Sequence, residues 1–466
     1  MTEPPQEAEP PLPAAQAEPP LPAAQAEPPL PAAQAEPPLP AAQAEPPLPA
    51  AQAFRALTGM RDVLAPESSR RRALVATFAE VVEAAGYHEV VLPLVEDLGV
   101  FLRVGEATDV VTKEMYDFVD KDGTRIALRP EMTAGAVRAF VQHSPLLPWK
   151  VWYAGSNFRH ERPQKGRYRS FDQVGVEVLG VDDPDLDVEV IALGWRFYER
   201  LGLRQVRLLV NSLGEHEDRA RYTEAVRAHL EAHRGDLSEK AVATLGRNPL
   251  RVLDSKRPED RAVVAAAPKV ADHLSDEAAA HFERVLAGLD SLGIPYTVED
   301  RLVRGLDYYR RTTFEYVADA LDAAQNAVGG GGRYDRLAED LGGPPTDGIG
   351  FALGVDRILL ACDAEGAFPA PERTMDAFVV DLVGGEAARD LTHELRAAGL
   401  SADRRFGGGS MKAQMKAADR SGARFAVLVG SDEQAAGEVT VRDLRGDAEQ
   451  RRVPADELID DLRKHL

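Results

Sequence analysis

The stretch N-F-R-H-E-R-P-Q-K-G-R-Y-R-S-F-D-Q-V-G-V-E-V-L-G occupies residues 157–180 of a 466-residue chain. It opens as a strand end, turns through Pro163, Lys165 and Gly166, and returns in alternation, so it predicts a β-hairpin. On the returning strand Val174, Val176 and Val178 share one face, and Gln173, Gly175 and Glu177 share the other. Five cations, Arg159, Arg162, Lys165, Arg167 and Arg169, crowd the tip. In a chain of formal net charge −21 they make a local positive field suited to phosphate. A solvated charged loop accounts for the cations. It does not account for Gln173 and Glu177, two polar groups aimed to the same side of an otherwise apolar strand.

Upstream, helical periodicity over 67–85 puts Leu74, Phe78, Val81 and Val82 on one face, and Gly86 ends the helix. A strand follows over 89–96 with Pro93 inside it, which predicts an edge or interface position. Residues 113–128 predict a second hairpin that delivers Arg129-Pro130-Glu131-Met132-Thr133 to a helix over 134–141. Glu131 and Thr133 fit an acidic first turn with a Thr cap. They equally fit a site in which Glu131 accepts from an ammonium group.

Downstream come a helix over 182–201, begun by Asp182, Asp183 and Pro184, and a strand over 205–211. Residues 212–297 change to charged, Ala-rich helical segments, read as an inserted module. His229 and His233 have the spacing of a helical metal site, but residue 230 is Leu230 where the glutamate of H-E-x-x-H would stand, so a solvated face is the reading. The string L-V-R-G-L-D-Y-Y (302–309) packs Arg304, Asp307, Tyr308 and Tyr309 ahead of a strand over 312–317, an unusual density of polar anchors. Gly329 to Gly332 lets backbone approach a ligand but lacks the Walker pattern G-x-x-x-x-G-K-[ST]. Residues 348–357 predict a small-residue strand running into a helix with Arg357 in its first turns. From about residue 375 the order βαβαβ predicts a parallel sheet.

The nonapeptide A-E-P-P-L-P-A-A-Q repeats five times over 8–52, and three prolines per nine residues predict a disordered or polyproline-like tail. The acidic balance excludes a generally basic nucleic-acid coat, so any RNA contact uses local patches. One cysteine, Cys362, leaves no disulfide partner, and no run reaches the roughly 18–20 apolar residues that span a bilayer. With no basic region and apolar core at the N-terminus, a soluble cytoplasmic protein is expected.

The hairpin, with Phe-Arg closing its first strand and Gln and Glu on its second, resembles motif 2 of the class II aminoacyl-tRNA synthetases. Residues 158–180 are similar to the histidyl-tRNA synthetase family in particular. L-V-R-G-L-D-Y-Y, R-P-E-x-T at Arg129–Thr133, and G-G-R-Y-D ending at Asp335 resemble the signatures of that family. Residues 67–96 resemble motif 1, the dimer contact. Residues 348–357 resemble motif 3, and Ser410 to Asp419 resemble the C-terminal anticodon-binding domain.

The resemblance implies an α+β protein: a class II antiparallel-sheet catalytic domain with a helical insertion, plus a C-terminal α/β anticodon-binding domain. The implied division is 1–53 tail, 54–211 first catalytic part, 212–297 insertion, 298–372 second catalytic part and 375–466 anticodon-binding domain. It implies ATP-dependent ligation of L-histidine to its tRNA through a histidyl-adenylate, in a cytoplasmic homodimer, with Mg²⁺ carried by ATP and neither membrane nor DNA as partner. Arg159 and Arg304 are implied as catalytic and as contacts to both histidine and ATP, and Arg357 as a further ATP contact. Glu131, Thr133, Gln173, Glu177, Tyr308 and Tyr309 are implied to hold histidine, and Arg162 and Gln164 to meet the tRNA acceptor end. No protein-bound metal is implied. The alternatives are a catalytically silent paralogue that regulates ATP phosphoribosyltransferase, expected to lack the C-terminal domain and the full arginine set, and a class II enzyme for another amino acid.

Overall fold

The computed structural model describes residues 54–103, 113–253, 255, 257–302, 308–322, 325–371, 375–446 and 449–466. The repeat tail, Arg304 and Asp307 lie outside the described residues. Helix α1 (Glu67–Glu83) buries Leu74, Phe78, Val81 and Val82, the stripe its periodicity predicts. The 89–96 strand divides instead into β1 (His88–Glu89) and β2 (Val95–Asp97). Pro93 lies in the break, where it has no N–H to offer a ladder. The Leu92 and Pro93 carbonyls accept from Arg129 Nη1 at 2.8 and 3.2 Å.

Next come α2 (Leu98–Leu102), the hairpin β3 (Tyr116–Val119) and β4 (Arg125–Leu128), and α3 (Thr133–His143). Strands β5 (Trp149–Phe158) and β6 (Ser170–Leu179) form the predicted long hairpin, paired from Trp149↔Leu179 to Phe158↔Ser170. Helix α4 (Pro184–Arg200) follows, capped by the Asp183 side chain accepting from Asp185 N. After β7 (Val206–Ser212) come α5 (His216–Ala232), α6 (Glu239–Leu245), α7 (Arg261–Ala265) and α8 (Asp276–Ser291), then β8 (Tyr296–Val298). Helices α5, α6 and α7 close their own core around Tyr222, Val226, Leu230, Leu245 and Val263, whereas Val285 and Leu289 of α8 join the main core. His229 and His233 stack at 4.6 Å between ring centroids and bond the carbonyls of Val263 and His229, respectively.

The chain returns as β9 (Tyr309–Ala318), β10 (Ala327–Tyr334), α9 (Leu337–Asp340), β11 (Gly348–Gly354) and α10 (Val355–Glu365). One eight-stranded sheet results, in the order β1-β5-β6-β11-β10-β9-β7-β8. Its ladders are antiparallel except β1–β5 and β7–β8. Val174, Val176 and Val178 enter the main core with the α1 stripe, Phe197 and Phe351. Phe78 meets Trp152, Phe197 and Phe351 edge-on. That face is therefore closed by helices, and Gln173 and Glu177 point to the other.

The remaining chain forms β12 (Met375–Asp381), α11 (Glu386–Ala397), β13 (Ala402–Arg404), α12 (Met411–Arg420), β14 (Ala423–Val429), α13 (Ser431–Ala436), β15 (Glu438–Asp443), β16 (Arg451–Pro454) and α14 (Leu458–His465). β12 pairs in parallel with β13 and β14, but β15 and β16 add two antiparallel strands that the βαβαβ reading omits. Their polar, charged residues hide the alternation: only Val439, Val441 and Val453 point into the core of this sheet. No helix among the described residues is long and apolar enough to cross a membrane.

Candidate active site

A cavity of about 310 Å³ opens on the free face of the eight-stranded sheet. Its lining draws on the N-terminus of α3, the β5–β6 hairpin, β10, β11 and the first turn of α10. At one end Glu131 is buried, and its two oxygens accept from the backbone N–H groups of Thr133 at 2.6 Å and Ala134 at 2.9 Å. Glu131 thus supplies the cap that the sequence assigns to a threonine, and it also lines the cavity. Burial pushes its carboxyl above the ordinary carboxylate range, against the two N–H bonds and the charge of Arg159.

Glu177 lies one layer deeper, 1% exposed. Its Oε1 accepts from Thr133 Oγ1 at 2.7 Å and Tyr153 OH at 3.0 Å, and its Oε2 from Tyr334 OH at 2.7 Å. Burial raises its carboxyl to about 7 even though all three hydroxyls oppose the shift, and the neighbouring Glu131 adds to the rise. Tyr334 belongs to the G-G-R-Y-D string, whereas no motif marks Tyr153. The register pairs Tyr153 with Gly175, a large residue opposite none at all, which is the one signal that could have found it. Gln173 lines the cavity and accepts from Asn157 Nδ2 at 2.7 Å. Tyr308 and Tyr309 form the facing wall, their rings 4.6 Å apart, with Tyr308 edge-on to Tyr334 at 5.7 Å.

The other end is cationic. Arg159 donates to the Pro130 carbonyl at 2.8 Å and lies over the Phe171 ring. Arg357 donates to the carbonyls of Gly166 at 3.2 Å and Ala327 at 2.9 Å, fastening α10 to the hairpin loop and to β10. Burial lowers its pKa, and the charges of Arg167 and Arg159 lower it further, while Glu161 and Glu315 oppose them. Arg159 and Arg167 thus both bear on Arg357 within a single cavity, an arrangement that a polyanion relieves. Behind this end, Arg71 of α1 donates to Asp172 at 2.5 Å and to Asp356, so one guanidinium fixes two carboxylates of the lining. No motif marks Arg71.

Arg162 and Gln164 are exposed at the hairpin tip and do not line the cavity. Gln164 bridges to Arg167 across the turn, in which Gly166 has φ 74°. Among the described residues no group of three or more His, Cys, Asp or Glu side chains could hold a metal ion. Glu161 and Glu315, lining carboxylates whose charge acts on Arg357, suit an ion that brings most of its own ligands.

Residues 59–358 match the family model described as histidyl-tRNA synthetase, and residues 376–465 the model described as anticodon binding domain. A histidine–tRNA ligase of Rhodococcus erythropolis is 49% identical over 416 residues, covering 88% of this chain and 97% of that protein. The crystal structure of apo S. aureus histidyl-tRNA synthetase superposes with a TM-score of 0.75 at 34% identity, covering 88% of this chain and 100% of that one. A Bacillus halodurans protein described as an ATP phosphoribosyltransferase regulatory subunit/histidyl-tRNA synthetase gives 0.60 at 19% identity over 82% of this chain and all of its own, a likeness of fold alone.

Proposed function

The chain belongs to the histidyl-tRNA synthetase family and ligates histidine to tRNA, and from that premise we propose that ATP and L-histidine react in the cavity between the hairpin and β10. The observation that carries the assignment is the polarity of the cavity: three guanidinium groups, Arg159, Arg167 and Arg357, at one end, buried carboxylates and phenols at the other. Glu131, Thr133 and Gln173 take the ammonium end of histidine. Tyr308, Tyr309 and Glu177 take the imidazole, with Glu177 acting through the hydroxyl cage that holds it. Unpaired polar groups in such a pocket reject apolar side chains more strongly than a missing methylene would.

Arg159 grips the α-phosphate and the substrate carboxylate, and Arg357 the γ-phosphate. The histidine carboxylate oxygen bonds to the α-phosphorus as the bond to diphosphate breaks, a step that needs positioning and charge neutralisation rather than a protein nucleophile. Arg304 has the same role by resemblance. Mg²⁺ carried by ATP would neutralise phosphate oxygens, and on the protein side the lining carboxylates Glu161 and Glu315 would be the groups to hold it. In the second step the terminal ribose hydroxyl of tRNA attacks the carbonyl carbon of the adenylate and AMP leaves, with Arg162 and Gln164 beside the acceptor end.

We read 54–211 and 298–372 as the catalytic domain, 212–297 as its insertion and 375–466 as the anticodon-binding domain. The chain works as a cytoplasmic homodimer without DNA or membrane partners. The match of residues 376–465 to an anticodon-binding model speaks against the regulatory paralogue. Pyrophosphate exchange measured with each amino acid in turn tests the reading: histidine alone is expected to support it, and exchange with another amino acid or with none overturns it.

A further inference from the structure

Immediately behind the paired tyrosines, β9 carries Arg310 and Arg311. Pairing with β10 runs Tyr309↔Tyr334 and Arg310↔Arg333, then resumes at Thr313↔Gly332, so Arg311 and Thr312 form a bulge. On its other side the bulge is closed by Leu213 N donating to Arg311 O at 2.8 Å and Arg311 N donating to Gly214 O at 2.9 Å. Arg311 has φ 44°, a left-handed conformation that a residue with a Cβ adopts only when its surroundings hold it there.

The bulge re-aims the side chain, which is 6% exposed, into the start of the helical insertion. Its guanidinium donates to Glu215, to Asp182 at 2.9 Å, to Glu277 at 2.8 Å and to His281 Nδ1 at 3.3 Å. A guanidinium can only donate, so His281 Nδ1 accepts and its Nε2–H donates to Asp187 at 2.8 Å. Arg310 takes the other oxygen of Glu215 at 2.9 Å and also pairs with Asp335 and Asp347. Glu215 is the N-cap of α5, in a capping box with Asp218. One carboxylate at the head of the insertion is thus held by two successive arginines that directly follow Tyr308 and Tyr309.

We propose that Arg311 is a positioning residue that fastens Tyr308 and Tyr309 to the helical insertion through Glu215, so that the anchorage of the insertion sets the affinity of the cavity for its amino acid. The proposal rests on the reading that these tyrosines hold histidine. A strained arginine at the bulge is explained by what its fork joins: the segment leading into α4, the N-cap of α5 and α8 meet β9 at this one side chain, and neither glycine, which would relax the φ, nor lysine, which lacks the fork, joins them.

The test uses the full-length protein and three variants, Arg311→Gly, Arg311→Lys and Glu215→Gln, with KM for histidine and for ATP measured separately by pyrophosphate exchange. Arg311→Gly keeps the bulge without strain and removes the link. It is expected to raise the histidine KM about tenfold or more while the ATP KM stays within about twofold. Glu215→Gln moves the same constant in the same direction by less, and Arg311→Lys does not restore it. An unchanged histidine KM in folded Arg311→Gly and Glu215→Gln proteins overturns the proposal. So does a parallel rise of both constants, the mark of general destabilisation. A wild type whose histidine KM is untouched by Tyr309→Phe overturns the premise instead, and the proposal with it.

Discussion

Tyr334 on β10 and Glu177 on β6 share a 2.7 Å hydrogen bond although a whole strand, β11, runs between theirs. The contact exists because β11 presents Gly348 and Gly350 at that point. A Cβ at Gly348 would come 2.2 Å from the Tyr334 ring, and one at Gly350 would come 1.9 Å from Glu177 Oε2. The polar cage around Glu177 is therefore built across three strands.

The raised carboxyl of Glu177 has a consequence for stability. The folded state keeps this proton to about pH 7, whereas the unfolded chain releases it near the ordinary value of 4.5. Folding therefore gains from the protonated group below the unfolded value, and the gain is lost as pH rises towards 7, by up to about 3 kcal/mol. Urea unfolding at pH 5 and pH 8 should show the wild type losing stability relative to Glu177→Gln over that window. An equal pH response in the two proteins would remove Glu177 as the source.

Tyr334→Phe removes one of three donors from a buried carboxylate. The expected cost is about 1–3 kcal/mol of stability, with a several-fold rise in histidine KM, since Glu177 would become harder to ionise. Thermal melts and exchange kinetics on the same preparation check both effects, and loss of neither would mean that Thr133 and Tyr153 suffice.

Gly350→Ala is expected to be more severe than its single methyl suggests. The added carbon meets Glu177 Oε2, which can withdraw only by giving up its bond to Tyr334, and, at 2.4 Å, the Val176 carbonyl, which is fixed in the β6 backbone beside β11. Overpacking of this kind costs about 1–3 kcal/mol or more. Histidine-dependent exchange should fall with it. A variant of normal melting temperature and normal histidine KM would show that the cage tolerates displacement.

Arg357→Lys keeps the charge and loses the fork that reaches Gly166 O and Ala327 O together. The ATP KM should rise about tenfold, with the histidine KM nearly unchanged. Equal shifts in both would place Arg357 in the scaffold rather than at the nucleotide.

Removal of residues 375–466 should abolish tRNA charging far more than histidine-dependent exchange, because the first needs the anticodon-binding region and the second only the cavity. Equal loss of both activities would make that region a structural support.

Much of this was legible because period-2 alternation states which side of a strand is polar. Gln173 and Glu177 stand opposite the valines, and the α1 stripe is buried as its spacing requires. Glu131, Thr133, Arg159 and Arg357 converge on one cavity although more than two hundred residues separate the first from the last. The contacts of Glu177 were not legible, since Tyr153 and Tyr334 reach it only through the register of neighbouring strands. The sequence begins this strand only at Thr312, and no local pattern announces that the ladder starts at Tyr309 and bulges at Arg311. Pro93 signalled trouble in its strand but not that the two halves would join different sheets.

The glycines of β11 also bear on attempts to retarget the enzyme. Changing a pocket to admit a different amino acid ordinarily begins by resizing the residues beneath the ligand, yet here the floor has no atoms left to trim and no room to add any. Gly348 and Gly350 are already the smallest residues, and the groups they expose are tied to one another. New specificity would have to be sought at the side walls of the cavity rather than in β11.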